Sequence, residues 1–370
     1  MRCLFITESA RREQSRHLMF NYIYEELGKQ NIEFEILAFL EPETQPILSD
    51  CGLNVPTKSI AKDRYVPSSL WKFVSSIYSS KPSIMIIGGY GYKELWIALL
   101  IGLFQKIPII LWTGAGQITT VNHSKIILIL KKLFIKNIDR AITYGSNATK
   151  YLCSLGMDIT KIDQGINVSS VSLFKETLNN YGQSNELVQN LKNINKPILI
   201  YVGRLEQSKG IDLLLEQLKL LPHDKYFCYF VGKGGMESKI KESIKNKEIN
   251  ARLLGFLKQN EIAKRLVEAD VYILPSRNDP FSRTLSEALA SGCFVLNSKY
   301  DDASYDLISS GKNGYIFDPT NFNEFRYYMD LVTDTSWKRP CRKKISEHFK
   351  FDMTDYANSV INAVLKVKIK

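Results

Sequence analysis

Short apolar runs alternate with amphipathic helical stretches along this chain, and the series runs twice. In the first half Cys3 to Thr7, Phe34 to Phe39, Ile84 to Gly88, Ile107 to Trp112 and Ala141 to Tyr144 read as strands, with helical patterns such as 14–30, 93–105 and 124–137 between them. The series lapses over Lys175 to Asn195, a polar stretch rich in Asn, Ser and Gln that reads as a linker. It restarts with strands at Pro197 to Gly203, Tyr226 to Gly232, Arg252 to Phe256, Val271 to Pro275, Phe294 to Asn297 and Tyr315 to Phe317, separated by helices over 211–221, 235–246 and 260–268. Strands alternating with helices of this length make a parallel sheet wrapped on both faces. The chain is therefore expected to be α/β, with two Rossmann-like doubly wound domains. A ligand is expected in a cleft between them, at the carboxyl ends of the strands.

The totals agree with this division. The chain has 370 residues, too many for one comfortable core. Its apolar runs, such as Leu95 to Phe104, fall short of the roughly 20 residues that span a bilayer. The opening MRCLFITESARRE turns polar after its first run, which reads as a strand and not as a signal peptide. Cysteines at 3, 51, 153, 228, 293 and 341 show no metal-ligand spacing and read as reduced cytosolic thiols. The net charge of +11 is uneven: residues 51–150 carry 13 Lys/Arg against Asp63, Glu94 and Asp139. A phosphorylated substrate, an anionic membrane and nucleic acid each fit such a surplus, but no nucleic-acid recognition motif accompanies it.

The segment VYILPSRNDPFSRTLSEALASG, residues 271–292, is a strand, a polar loop and a helix. It sets Asp279 before the helix and Glu287 inside it. Such a loop aims backbone N–H groups and the positive end of a helix dipole above the strand. Donors for phosphate beside acids for hydroxyls suit a nucleotide sugar. For Asp279 alone, helix capping competes with this reading; Glu287 lies too far into the helix for capping to explain. Upstream, YVGRLEQSKGID (201–212) ends a strand at Gly203 and follows it with Arg204 and Lys209, two cations placed to hold a diphosphate. Taken alone, the pair reads equally well as solvated surface charge. VGKGGMESKI (231–240) is a glycine turn starting at Gly232, where backbone is expected to pack close to the ligand. His123 and His17 read as structural or solvated. HSKIILILKKLFIKN (123–137) sets aliphatics beside Lys125, Lys131, Lys132 and Lys136. It reads as a buried helix with a basic face, or as an interfacial segment on anionic lipid; the charge surplus favours the lipid.

YVGRLEQSKGID, VGKGG, LLGFL, LPSRNDPFSRTLSEALASGCFVL and GKNGYIFDP, within about residues 196–330, resemble the C-terminal domain of retaining glycosyltransferases of family 4, which have the GT-B fold. The acids at 279 and 287 match that family's E-x7-E motif, with Asp279 shortening the usual Glu. Ser282 replaces the usual Gly and Arg283 follows it. The resemblance implies that Arg204 and Lys209 hold the donor diphosphate, that Asp279 contacts the sugar hydroxyls, and that Glu287 binds the ribose. N–H groups from Ser282, Arg283, Thr284 and Leu285 would hold the distal phosphate, with Phe281 beside them. Gly203 and Gly232 would approach the donor, and Gly255, Phe256 and Leu257 would lie near the base. It implies no metal and no cofactor beyond the nucleotide-sugar substrate. The place where relatives carry a first-domain histidine reads TGAGQ, so no catalytic histidine is transferred.

These readings predict an acceptor-binding domain over 1–180, a donor-binding domain over 196–345 and a C-terminal helix, 346–370, crossing back to the first domain. The expected function is a retaining, metal-independent glycosyltransferase. It would move a sugar, from a UDP-sugar by preference, to a glycan acceptor linked to a lipid diphosphate, in surface polysaccharide biosynthesis. The enzyme is expected in the cytoplasm, peripheral to the inner face of the cell membrane. The alternatives are a sugar-nucleotide epimerase or phosphorylase of the same fold, and a non-catalytic subunit of a transferase pair.

Overall fold

The computed structural model describes residues 1–8, 14–39, 52–60, 67–116, 125–181 and 196–367. The chain forms two compact units, Met1–Ser170 with Met353–Lys370, and Val171–Asp352.

In the first unit the elements run β1 (Arg2–Thr7), α1 (Gln14–Lys29), β2 (Glu33–Ala38), β3 (Thr57–Ser59), α2 (Pro67–Ser80), β4 (Ile84–Ile87), α3 (Lys93–Gln105), β5 (Ile109–Thr113), α4 (Lys125–Lys136), β6 (Arg140–Thr143), α5 (Ser146–Ser154) and β7 (Ile162–Gln164). All described pairings are parallel, in the order β3-β2-β1-β4-β5-β6-β7. The inner strands are buried on both faces, as continuous apolar runs like IMII and IILWT require. One face packs on α1; the other packs on α2, α3, α4 and α5. Ile107 and Pro108 precede β5, because proline has no N–H for the ladder. The short strands β3 and β7 were not expected. Each is three residues long and lies at a sheet edge, where exposed polar residues such as Lys58 and Gln164 hide the apolar pattern.

The second unit runs α6 (Ser172–Tyr181), β8 (Ile198–Val202), α7 (Ile211–Leu220), β9 (Phe227–Val231), α8 (Glu237–Lys245), β10 (Ala251–Gly255), α9 (Gln259–Glu268), β11 (Val271–Leu274), α10 (Arg283–Ala290), β12 (Phe294–Ser298), α11 (Ser304–Leu307), β13 (Gly314–Phe317), α12 (Phe322–Thr333) and α13 (Arg342–His348). Its six strands, also parallel, are ordered β10-β9-β8-β11-β12-β13. Helix α6 stands where the polar composition reads as the start of a linker. Phe174 is fully buried there, and the helix packs on α9. The rest of that stretch, 182–195, lies outside the described residues.

The C-terminal stretch contains two helices. After α13 the chain leaves helical geometry over Phe349 to Asp352, and α14 (Met353–Lys366) follows. In the second unit the Phe349 carbonyl accepts from Lys175 Nζ at 2.7 Å, and Asp352 Oδ1 accepts from the Val171 amide at 2.9 Å. In the first unit α14 lies on α1. Tyr356, Ala357, Val360, Ile361 and Val364, on one helical stripe, join the core. The buried Trp112 indole donates to the Tyr356 hydroxyl, and Lys366 Nζ lies 2.7 Å from Asp163, which also pairs with Arg140 at 2.7 Å.

Candidate functional site

The strand order of the second unit reverses beside β8: the chain proceeds to β9 and β10 on one side, and returns through β11, β12 and β13 on the other. Doubly wound sheets bind ligands at such a switch point, outside the strand carboxyl ends. The loops leaving β8, β11 and β12 meet there.

Gly203 follows β8, its amide donating to the Val231 carbonyl at 3.0 Å. Arg204 is exposed, and among the described residues no hydrogen bond or ion pair engages its guanidinium. Lys209 closes a short 3-10 turn, Gln207–Lys209, ahead of α7. Gly210 then adopts φ 72°, and a Cβ there would lie 1.9 Å from the Pro275 carbonyl oxygen. Only glycine lets the two loops approach so closely. Arg277 fastens them further: its amide donates to the Ser208 carbonyl at 2.9 Å, and its guanidinium grips Asp212 at 2.6 and 2.8 Å. This bidentate pair holds Asp212 below the usual carboxylate range against the opposing effect of burial.

The Lys209 ammonium, thus placed, bonds the Asp279 carboxylate, with both side chains largely buried. Asp279 is held by its backbone: its amide donates to the Tyr300 carbonyl at 2.9 Å, and its carbonyl accepts from the Asp302 amide at 3.1 Å. Its Oδ1 accepts from the amide of buried Phe281 at 3.2 Å.

Bridged to Asp279 through the backbone is Asp301, fully buried in the loop three residues past β12. Its carboxylate accepts from the Ser282 amide at 3.1 Å, the Ala303 amide at 3.0 Å, the Asn297 side chain at 2.7 Å and the Ser282 hydroxyl. Burial, and then the charge of Asp279, push Asp301 up to about 7; the donors from Ser282 and Asn297 oppose the rise. Sequence reading missed this residue and the Arg277–Asp212 clamp. The available signal was the DD pair two intervening residues after a buried strand, in a sheet whose neighbouring loop already carried an acid.

Helix α10 begins immediately after Ser282. Ser282 gives both amide and hydroxyl to Asp301, and the first turn of α10 continues from it with Arg283, Thr284 and Leu285. The Thr284 hydroxyl lies 2.7 Å from that of fully buried Tyr272, which fixes the first turn on β11. Leu285 is buried and Glu287, two residues on, is 7% exposed. Burial lowers the Arg283 pKa while the Glu287 charge raises it. The amphipathic stripe of α10 buries Ala288 and Leu289 and so fixes where Glu287 stands.

At Gly232 the backbone has φ 138°, and a Cβ there would lie 1.8 Å from the Gly203 carbonyl oxygen, so the β8 and β9 loops also touch. The amides of Gly234 and Gly235 donate to Glu237 and Glu206, both at 3.1 Å. The glycine turn is thus closed by the chain's own carboxylates. Phe256, exposed, and Leu257, half-buried, follow β10, the sheet's outer strand. The structure therefore gathers Lys209, Asp279, Phe281, Ser282 and the start of α10, while Phe256 and Leu257 stand two strands from β8, roughly 10 Å along the sheet. In the first unit His17 is buried on α1; His123 lies outside the described residues, as do Gln117 and residues 9–13 of the first loop. No group of three or more His, Cys, Asp or Glu side chains among the described residues is gathered to hold a metal ion.

Residues 183–348 match the family model "Glycosyl transferases group 1". The chain is 26% identical to an uncharacterized 41.2 kDa protein in the cps region of Klebsiella pneumoniae, over 64% of each chain. It is also 26% identical, over 45% of its own length and 46% of the relative's, to the N-acetylgalactosamine-N,N'-diacetylbacillosaminyl-diphospho-undecaprenol 4-alpha-N-acetylgalactosaminyltransferase of Campylobacter jejuni. The matches thus span less than two thirds of the length of both curated relatives. Anabaena Alr3699/HepE, solved with UDP and glucose, superposes with a TM-score of 0.75 at 16% identity, covering 99% of this chain and 100% of that one. The fold is the two-domain α/β architecture of GT-B glycosyltransferases, and the similarity to glycosyl transferases of group 1 lies in residues 183–348.

Proposed function

We propose that this chain is a retaining, metal-independent glycosyltransferase that takes a sugar from a nucleotide diphosphate donor held by the second unit. The observation that carries the reading is the Lys209–Asp279 pair at the switch point, with Arg204 on the loop that follows β8 and Glu287 within α10. Donor binding exchanges the pair for two new contacts: the ammonium turns to phosphate oxygens and the carboxylate to sugar hydroxyls. Glu287 takes the ribose hydroxyls, and the amides of Arg283 to Leu285 take the distal phosphate.

The chemistry follows from charge. As the bond between the anomeric carbon and the phosphate oxygen breaks, positive charge grows on the sugar and negative charge on the diphosphate. Arg204 and Lys209 stabilise the leaving diphosphate. The acceptor hydroxyl attacks from the face the diphosphate leaves, and its proton passes to a leaving phosphate oxygen, so configuration is retained and no protein nucleophile or cofactor is required. Positioning and electrostatics supply the rate. A UDP-sugar is the favoured donor, supported by the neighbour solved with UDP.

The first unit takes the acceptor, a glycan on a lipid diphosphate, in polysaccharide biosynthesis. The diphospho-undecaprenol in the name of the Campylobacter relative and the charge surplus of residues 51–150 support this. Such an acceptor places the enzyme against an anionic membrane. The test is to supply the full chain with UDP-, GDP- and ADP-sugars and polyprenyl-diphosphate glycans, and to read the new anomeric centre by NMR. Retention is expected; an inverted product, or donor turnover without acceptor, overturns the proposal.

A further inference from the structure

Helices α2, α3 and α4 lie side by side on one face of the first unit's sheet. They share a core containing Phe73, Leu95, Leu99 and Phe134; α2 packs on α3, and Trp96 of α3 meets Phe134 of α4 edge-on at 4.8 Å. Their outer surface is unlike ordinary solvated helix. On α4 the inward stripe is Lys131, Phe134 and Ile135. The opposite stripe carries Ile126 (70% exposed), Ile129 (64%) and Leu133 (54%) among exposed Lys125, Lys132 and Lys136. On α3, Leu100 and Phe104 (83% exposed) point outward, flanked by Lys93 and Lys106; on α2, Trp71 (75%) stands beside Lys72. Glu94 is the only acid on these three helices.

We propose that this three-helix surface is an interfacial docking face for an anionic lipid membrane. The inference rests on the membrane-facing part of the function proposed above and names the surface responsible. Exposed aliphatic and aromatic side chains interleaved with lysines fit a headgroup layer, where rings and branched chains enter the acyl boundary while ammonium groups stay with lipid phosphate. Charge selects this occupant over a second copy of the chain: two such faces brought together would oppose lysine to lysine with only Glu94 of each face to pair them. No helix among the described residues is long and apolar enough to cross a membrane, so the contact lies in the plane of the interface.

The full chain would be floated with vesicles of phosphatidylcholine alone and with added phosphatidylglycerol. Flotation is expected with the anionic vesicles and is weakened by salt. The triple variant Phe104→Ser, Ile129→Ser, Leu133→Ser is expected to lose flotation while its melting temperature stays put, because all three side chains are exposed. Lys125→Gln with Lys132→Gln should lower the partition coefficient roughly thirtyfold, about fivefold per lysine. No flotation of the wild type, or flotation untouched by both variants, overturns the proposal. A wild-type dimer that the triple variant dissolves also overturns it, since the face would then belong to a second copy. Glu287→Ala should still float: flotation without any nucleotide binding would sink the donor reading and leave this one standing.

Discussion

Lys209 and Asp279, 70 positions apart, bond side chain to side chain across the point where the second unit's strand order reverses. Both are mostly buried, and buried Asp301 is bridged to Asp279 through the backbone. Removing one partner of a buried pair costs more than the pair itself contributes, because the other charge is left uncompensated. Lys209→Met is therefore expected to destabilise the protein by about 3 kcal/mol, since it leaves two carboxylates facing each other. Asp279→Asn should cost distinctly less, because it also relieves Asp301. Urea unfolding of the two variants checks the order; equal losses, or a larger loss for Asp279→Asn, contradict it.

Asp301 makes stability depend on pH in a direction opposite to that of most carboxylates. Its folded-state value is raised from 3.8 to about 7, by burial and by Asp279. Between those values the folded chain holds a proton that the unfolded chain has lost, so this residue's contribution falls as pH rises from about 4 to 7 and levels off above. Asp301→Asn should flatten that fall. The comparison is the pH dependence of the urea midpoint across this window; an unchanged slope in the variant would show that Asp301 does not carry it.

Two glycines with positive φ separate strain from collision. Gly255 has φ 71°, and a Cβ there would meet nothing within 4 Å, whereas a Cβ on Gly232 would fall on the Gly203 carbonyl oxygen. Gly255→Ala should cost roughly 1 kcal/mol for left-handed geometry alone, while Gly232→Ala must part the β8 and β9 loops and cost more. Melting temperatures of the two variants give the answer, and equal shifts would contradict the close approach.

The buried Trp112–Tyr356 hydrogen bond seats α14 on the first unit. Tyr356→Phe keeps the ring but leaves the indole N–H unsatisfied, at about 1–3 kcal/mol. Nucleotide affinity, assigned to the second unit, should be unchanged. A variant that lost stability and nucleotide binding in equal measure would place the donor contacts elsewhere.

The fold was legible where residues are buried on both sides of a sheet. β8, β11 and β12 are unbroken apolar runs, and the sequence shows them as such. Short polar edge strands such as β3 carry no such pattern. Helix α6 was hidden because Asn, Ser and Gln dominate its surroundings, while its burial rests largely on Phe174. At the site, loop chemistry marked Lys209, Asp279 and Glu287 by local spacing. Asp301 and the Arg277–Asp212 clamp were not visible, because their meaning lies in contacts between loops far apart in the chain. Nor could the sequence reveal that Ser282 spends its amide and hydroxyl on Asp301.

The central claim is that the second unit binds a nucleotide diphosphate through Arg204, Lys209 and Glu287. Calorimetric titration of UDP, GDP and ADP into the wild type, Arg204→Ala and Glu287→Ala tests it most directly. Arg204 is exposed and its guanidinium makes no hydrogen bond among the described residues, so its loss should leave folding intact. The account predicts that one nucleotide, UDP by preference, binds the wild type, and that each variant binds it about tenfold or more weakly, with the melting temperature of Arg204→Ala unchanged. Wild-type affinity retained in both variants, or no binding of any nucleotide to the wild type, would contradict it.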